Sequence, residues 1–267
     1  MATQLEKAEG FRALHARDGG FIIPNPWDAG SARLLEGLGF EALATTSAGF
    51  AQALGKLDGN VTLEEKIAHC RALAAVTNIP ISADLENGFS DEPAAVANTV
   101  KLAAAAGVVG GSIEDYSGTE IYDFSLAVER MHAAVEAARS LDFPFTLTAR
   151  AENLLRGRND LDDTIRRLQA YADAGADVLY APGIKTLDDV RKVSQAVDKP
   201  LNVLAPFIKG ATAADLFAAG AQRISIGSVL ADVAIGAVLK AGRELLEGRF
   251  GWLAGMAAGR DIKELLG

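Results

Sequence analysis

The sequence contains little of several residue types that often define a protein's class. It has one cysteine, Cys70, so no internal disulfide can form, and its three scattered histidines argue against a zinc site built from thiolates and imidazoles. No apolar run approaches the length of about 18 residues that predicts a membrane span. Residues 1–7 are charged and lack the apolar stretch of a signal peptide. We therefore expect a protein of the reducing cytoplasm with no membrane partner.

Basic segments are also missing, and the overall balance of charge is acidic. The net charge is −9 and the sequence pI is about 4.9, which argues against nucleic acid as a partner. With 267 residues, 49% of them hydrophobic and 23% charged, the composition is that of an ordinary globular protein. We expect one domain over residues 1–267, with a small molecule as its partner.

One pattern recurs along the chain: a helical stretch, a glycine and then a β-branched run. Each glycine stands where the end of a helix favours a left-handed backbone. The predicted strands cover residues 21–25, 41–47, 79–84, 108–114, 145–151, 177–181, 201–205 and 223–227. The predicted helices cover residues 29–38, 62–77, 92–106, 124–140, 160–174, 186–197, 212–219 and 229–247. Eight such units predict an α/β fold, a (β/α)₈ TIM barrel, with a doubly wound open sheet as the alternative.

The end of the chain continues past the predicted barrel. Residues 249–256 are mostly apolar and follow the last helix, so they give the barrel a C-terminal extension. We expect the tail at 249–267 to lie at a subunit interface of a homo-oligomer, because exposed apolar surface often marks such a contact. Packing of the tail beneath the barrel is the alternative.

Three of the predicted strands end on charged residues: Asp84, Glu114 and Arg150. Parallel strands place their carboxyl ends at the same side of a barrel, so two carboxylates and a guanidinium converge. The tip of strand 2 adds the backbone N–H groups of residues 46–48, which suit an anion, and Asp58 follows in the next loop. Oxygen ligands of this type favour Mg²⁺ over a softer metal. The pattern indicates a metal and anion site.

Five motifs in register, together with the opening segment at 25–33, resemble the phosphoenolpyruvate mutase/isocitrate lyase superfamily. The motifs are Thr46-Ser47-Ala48, Leu54-Gly55-x-x-Asp58, Ala83-Asp84, Gly111-x-x-Glu114-Asp115 and Ala149-Arg150-x-Glu152. The resemblance covers residues 20–240 and implies a Mg²⁺-dependent barrel that acts on 2-oxo acids through a pyruvate-like enolate. It also implies a tetramer whose neighbours exchange a C-terminal helix.

Carried over position by position, the resemblance assigns roles to particular residues. Asp58, Asp84 and Glu114 would surround the metal, and the amides of Thr46, Ser47 and Ala48 would hold the substrate carboxylate. Arg150 would face the substrate's oxygens, where a fixed cation stabilises the developing enolate charge.

The sequence also departs from the family pattern. Ser82 stands where family members usually begin the strand-3 motif with Asp, and Glu86 is the residue that can compensate. The loop at 115–123, the expected gate, has neither the Cys of the lyases nor the Lys and Asn of the mutases. The candidates for the missing acid are Tyr116, Tyr122 and Glu120. The predicted set of catalytic residues consists of Asp58, Arg150, Tyr116 and Glu120. Trp27 and Asn202 are further candidates for substrate binding.

These observations lead to three hypotheses. The first is a Mg²⁺-dependent carbon–carbon lyase or decarboxylase for a small 2-oxo or 2-hydroxy carboxylic acid, since decarboxylation needs only an electron sink. The second is a phosphonopyruvate mutase or hydrolase, and the third is a non-catalytic barrel that binds a dicarboxylate.

Overall fold

The computed structural model describes residues 2–266, in which eight parallel strands alternate with helices. The strands are β1 (Phe21–Ile23), β2 (Leu43–Ala44), β3 (Ile81–Asp84), β4 (Gly110–Glu114), β5 (Thr146–Arg150), β6 (Val178–Tyr180), β7 (Leu201–Leu204) and β8 (Arg223–Ser225). The α-helices of this part of the chain are α1 (Gln4–Ala16), α2 (Ala29–Gly37), α3 (Ser47–Ala53), α4 (Leu63–Val76), α5 (Pro93–Ala105), α6 (Phe124–Arg139), α7 (Leu161–Asp173), α8 (Leu187–Ala196), α9 (Ala213–Ala218), α10 (Val229–Leu246) and α11 (Gly259–Leu266).

The strands form one sheet that curls into a barrel, which confirms the predicted (β/α)₈ fold. Each strand pairs with its sequence neighbour from β2 to β8, and β8 pairs with β1. One backbone hydrogen bond, from the Ala44 N–H to the Pro24 carbonyl at 3.0 Å, joins β2 to the end of β1. The side chain of Asn25 reinforces this join: it donates to the Thr45 carbonyl at 3.2 Å and accepts the Gly227 N–H at 3.0 Å.

Short polar side chains start many of the helices. Asp28 accepts the Ser31 N–H at 2.7 Å and caps α2. Thr62 caps α4 in the same way. The helices pack their apolar faces on the strands, and Cys70 is fully buried in that core.

The structure contains three helices that the sequence pattern did not predict: α1, α3 and α11. Strand β2 is shorter than the predicted 41–47 because the Thr46 hydroxyl accepts the Gly49 N–H at 3.2 Å and starts α3. Helix α1 closes the amino-terminal end of the barrel, where Phe11 and His15 pack edge-on against Phe21. This end of the barrel is called the floor below.

The last helices carry the predicted extension. Helix α11 packs on α2, where Leu265 lies against Gly37. Helix α10 buries only Ala231, and apolar side chains such as Val238 and Leu246 are exposed. No helix within residues 2–266 is long and apolar enough to cross a bilayer. The subunit contact of residues 249–267 stays a prediction.

Candidate active site

A cavity of about 140 Å³ opens at the carboxyl ends of the strands and extends into the barrel. Its lining combines backbone and side chains from the tips of β2, β3 and β5 with polar side chains from β7 and β8. Among the lining residues are Thr46, Ser47, Asp84, Arg150, Asn202 and Arg223. The volume corresponds to about five liquid water molecules, so the cavity suits a small acid rather than a large cofactor.

Arg150 contacts three carboxylates, Asp84, Glu114 and Glu152. Together with Glu86 they form what we call the carboxylate cluster. The Arg150 guanidinium lies 3.1 Å from Asp84 Oδ1 and 3.1 Å from Glu114 Oε2. A third contact of 2.7 Å joins it to Glu152 Oε1. The predicted meeting of Asp84, Glu114 and Arg150 is therefore what the structure shows.

A layer of buried groups beneath Arg150 fixes this arrangement. Glu152 is fully buried and also accepts a hydrogen bond of 3.0 Å from Arg156. The N–H of Glu152 donates to Asp115 Oδ1 at 2.8 Å, while Asp115 Oδ2 binds Arg167 at 3.0 Å and the Tyr171 hydroxyl at 2.6 Å. Asp115 is thus a supporting residue that holds the β5 tip in place.

Asp84 is held as a carboxylate. Burial opposes its ionisation, but the charges of Arg150 and Lys66 and the Ser47 N–H outweigh this effect and keep the pKa of Asp84 below its usual range. The Ser47 N–H reaches Asp84 Oδ2 at 3.1 Å. The Asp84 N–H in turn donates to the Thr45 hydroxyl at 2.8 Å.

The pKa values of Glu114 and Glu86 are raised, in the direction opposite to that of Asp84. Burial is the largest cause that raises the pKa of Glu114 well above its ordinary value, and the neighbouring carboxylates add to it. Together these effects outweigh the charge of Arg150, which lowers the pKa. Burial also raises the pKa of Glu86 to about 7, although Lys66 partly offsets it. Carboxyl groups that resist ionisation in this way gain from an added cation.

Lys66 is a member of the site that the sequence analysis missed. Its side chain is fully buried, and its Nζ lies 3.6 Å from Glu86 Oε1. Neither of these two atoms has a hydrogen-bond partner among the described residues 2–266. The signal was available, because Lys66 precedes Cys70 by four residues and so shares the buried face of α4.

The start of α3 contains the backbone segment for which the sequence analysis predicts anion binding. Thr46, Ser47 and Ala48 all line the cavity at the first turn of this helix. A helix amino terminus presents free N–H groups and a partial positive charge. In this structure the Ser47 N–H is directed at the Asp84 carboxylate.

Several predicted residues do not line the cavity, among them Asp58 and Glu120, which are exposed in loops. Asp58 is nevertheless near enough to Glu86 for its charge to add to the effect of burial and raise the pKa of Glu86. Trp27 lies in a separate apolar groove beside Phe50, away from the lining of the site cavity. Their conformation depends on loop geometry rather than on the strand pattern that located the other residues.

The gate loop at 115–123 is folded against the barrel. The Tyr116 ring stacks on the Arg156 guanidinium at 3.9 Å. The Tyr122 hydroxyl accepts a bond of 3.0 Å from Asn87 and donates to Asp91, and burial raises the pKa of Tyr122 to about 12. Neither Tyr116 nor Tyr122 lines the cavity.

Polar side chains continue into the interior of the barrel. Asn202, a candidate for substrate binding, lines the cavity and donates to the Ser225 hydroxyl at 2.9 Å. Its carbonyl oxygen accepts a bond of 2.8 Å from Arg223. Ser82, the departure from the family motif, also lines this interior, while Asp84 and Glu86 stand at and beyond the end of β3.

The donor set fits Mg²⁺, although no three acidic, thiol or imidazole groups within residues 2–266 are close enough to form a ready-made metal site. Arg150 contacts both Asp84 and Glu114, so they share its single positive charge. Among residues 2–266 Glu86 Oε1 has no hydrogen-bond partner, and the pKa of Glu114 is raised, so this region is short of positive charge. All of these donors are oxygens, and Mg²⁺ in proteins uses few carboxylates and keeps several waters.

The barrel has an oxygen-rich cluster at its strand tips, where barrel enzymes place their active sites. Comparison with known proteins gives the family. The model of the phosphoenolpyruvate phosphomutase family matches residues 11–246. The chain therefore belongs to this family, within the phosphoenolpyruvate mutase/isocitrate lyase superfamily.

Several relatives and solved structures are similar over most of the chain. A structure from Burkholderia cenocepacia J2315, described only as a lyase/mutase, is 54% identical with a TM-score of 0.95, and the match covers 97% of this chain and 96% of that one. An uncharacterized Mycobacterium tuberculosis protein is 34% identical over 89% of both chains. The 2-methylisocitrate lyase of Escherichia coli is 31% identical over 72% of this chain and 68% of that protein.

Proposed function

We propose that this protein is a Mg²⁺-dependent carbon–carbon lyase for a small 2-oxo or 2-hydroxy carboxylic acid and that it acts through a pyruvate-like enolate. The observation that carries the proposal is Arg150, which is buried in the carboxylate cluster and lines the same small cavity as Ser47. Relatives that are named as lyases support this choice within the superfamily.

The chain's own groups would bind and orient the acid. The amides at the start of α3 would hold its carboxylate, and Arg150 would lie beside the oxygen on which enolate charge develops. A fixed guanidinium stabilises this charge without reorganisation, since its three carboxylate partners already hold it in place.

Asp84, Glu86 and Glu114 would hold the metal, directly or through water. Mg²⁺, on which members of this superfamily depend, would supply Lewis-acid polarisation of the substrate oxygens when bound. The cation would also allow the shifted carboxyl groups of Glu86 and Glu114 to ionise.

The position of the gate loop favours chemistry that needs little acid catalysis. Tyr116, Tyr122 and Glu120 all lie outside the cavity lining. Decarboxylation of a β-oxo acid needs an electron sink and can take its proton from water. A decarboxylase is therefore the form of the proposal that these residues support, since cleavage of a β-hydroxy acid would also need a base for its hydroxyl and an acid for the enolate.

The direct test is a turnover screen of 2-oxo and 2-hydroxy acids with and without Mg²⁺. We expect Mg²⁺-dependent carbon–carbon cleavage that falls at least about 100-fold in Asp84→Asn, because one cluster carboxylate is lost while the shape is kept. Glu129→Gln, at an exposed position of α6, is the matched control and should retain activity. Equal activity in Asp84→Asn would refute the proposal.

Two other outcomes would redirect it. Conversion of phosphonopyruvate, followed by phosphorus NMR, would establish P–C chemistry instead. Mg²⁺-dependent binding of oxalate, a planar enolate mimic, without turnover across the panel would establish a dicarboxylate-binding barrel.

We also propose that α10 and residues 249–267 form a homo-oligomer contact. The exposed apolar side chains of α10, including Val233 and Val238, support this proposal. Light scattering should show a dimer or tetramer in the parent protein and a smaller species in Val238→Glu. A monomeric parent protein would refute this assembly.

A further inference from the structure

The barrel interior contains a cation that the carboxylate cluster does not explain. Arg223 opens β8, points into the barrel and is 4% exposed. Burying a lone charge is costly unless it is paired and hydrogen-bonded. Within residues 2–266 no carboxylate pairs with Arg223, in contrast to the three that surround Arg150.

The hydrogen-bond partners of Arg223 are all neutral. Its Nε donates to Asn202 Oδ1 at 2.8 Å, and its Nη2 donates to the Thr148 hydroxyl at 3.1 Å. Its Nη1 lies 3.3 Å from His15 Nε2. These contacts hold the guanidinium in place and leave its charge uncompensated.

His15 does not supply a hidden negative charge or a competing donor. Its Nδ1 lies 2.8 Å from the Phe11 carbonyl and donates to it, so Nε2 is the acceptor that faces Arg223. Burial, followed by the charge of Arg223, lowers the pKa of His15 to about 3. The ring is therefore neutral, and burial lowers the pKa of Arg223 itself to about 10.

The guanidinium borders the site cavity. Arg223 lines the cavity together with Arg150, and hydroxyl groups of Ser82, Ser112 and Ser225 line the space as well. Barrel interiors are usually filled by branched apolar side chains. Here a polar, partly hollow interior connects the strand tips to a buried cation, and two of the five N–H hydrogens of Arg223 have no acceptor among residues 2–266.

We propose that Arg223 forms an anion subsite at the inner end of the site cavity and that this subsite takes the distal carboxylate of a dicarboxylate substrate. The carboxylate would accept the free N–H hydrogens of Arg223 and neutralise its charge. The assignment of the ligand rests on the proposed function, whereas the cation without a counter-ion is an observation independent of it. Arg223 thereby selects four- or five-carbon diacids over acids with one carboxylate.

The test compares malate, lactate and the analogue of malate whose distal carboxylate is an amide, each with Mg²⁺, by calorimetric titration. The parent protein should bind malate about 10- to 100-fold more tightly than the other two, the range expected for hydrogen bonds to a charged group. Equal affinities for malate and its amide would overturn the proposal without any variant.

Variants then assign the preference to one side chain. Arg223→Gln should remove the preference for malate and leave lactate affinity unchanged, whereas Arg223→Lys should retain part of it. Arg12→Gln, an exposed position on α1, is the matched control and should change neither affinity. A full preference in Arg223→Gln would overturn the proposal.

Two further titrations separate the possible causes of failure. Formate added with lactate tests a free anion: if the pair binds as tightly as malate, the subsite holds a separate anion and not the substrate. Oxalate with Mg²⁺ tests the enolate site alone. If oxalate with Mg²⁺ does not bind while the protein still prefers malate, the proposed lyase function is refuted and the Arg223 subsite is retained.

Discussion

Buried charges at the strand tips lie beside opposite charges, whereas the buried charge of Arg223 near the barrel floor lies among neutral groups. At the tips, the four carboxylates of the cluster face three cations, Arg150, Arg156 and Lys66, so most of the negative charge is paired before any ligand binds. Near the floor, Arg223 has only neutral partners. The first region stabilises its own charges, while the second retains a charge that only a ligand can balance.

The comparison shows that the cost of removing a buried charge depends less on how many charges a site holds than on whether that charge is paired. Removing one partner of a buried ion pair costs about 3–5 kcal/mol, because the other charge stays behind without compensation. Removing a charge that had no partner carries no such penalty. The predictions that follow separate the two regions, beginning with the largest expected effect.

The largest effect should come from Arg150→Met. Asp84, Glu114 and Glu152 would all lose their shared cation, so we expect the free energy of unfolding in urea to fall by about 3–5 kcal/mol. Arg156→Met is the control, since Arg156 is 35% exposed and should cost clearly less. Equal losses in the two variants would contradict the central place given to Arg150.

A pH titration of stability should identify the neutral histidine near the floor. The folded state holds His15 neutral with a pKa of about 3, whereas the unfolded chain takes up a proton below its usual value of 6.5. The stabilising effect is therefore complete above pH 6.5 and is lost as the pH falls toward 3. Relative to His15→Gln, the parent protein should lose roughly 2–4 kcal/mol over this range. Parallel curves would show that His15 does not carry the effect.

A smaller effect on stability and ligand binding should distinguish α3, which starts at the site, from α8, which starts elsewhere. Thr46→Val and Thr186→Val each remove a side-chain cap, and each should cost about 1 kcal/mol of stability. Only Thr46→Val should also weaken the stabilisation by Mg²⁺ and oxalate in a thermal unfolding assay. If both variants respond to these ligands as the parent does, the start of α3 does not bind the anion.

The smallest effect should come from Glu120→Gln. Glu120 is exposed and outside the cavity, so we expect kcat on the substrate found by screening to change by less than about twofold. A loss of tenfold or more would show that the gate loop closes and brings this carboxylate to the substrate. That result would extend the charged region at the strand tips to the loop.

Much of the fold and the centre of the site could be predicted from the sequence. Continuous apolar runs that end on Asp84, Glu114 and Arg150 locate both the strands and their tips, because parallel strands share one carboxyl edge. The order of helix, glycine and strand indicates the barrel. These features follow from local patterns that repeat along the chain.

The remaining features depend on contacts between distant segments. Lys66 meets Glu86 only because α4 packs beside the tip of β3, and Arg223 meets His15 across more than 200 residues of chain. Residues such as Asp58 and Glu120 lie in loops whose conformation no hydrophobic period describes. Strand β2 was predicted too long because one hydroxyl, that of Thr46, starts a helix at its end.

Asn25 has a mechanical consequence for the whole ring. Strand β2 is joined to β1 by one main-chain hydrogen bond, and the side-chain amide of Asn25 adds hydrogen bonds to the residues that follow β2 and β8. Asn25 lines the same cavity as Arg150 and Arg223. The seam that closes the ring between β1 and β2 and the cavity of the site therefore share one residue, and a substitution at Asn25 would disturb both.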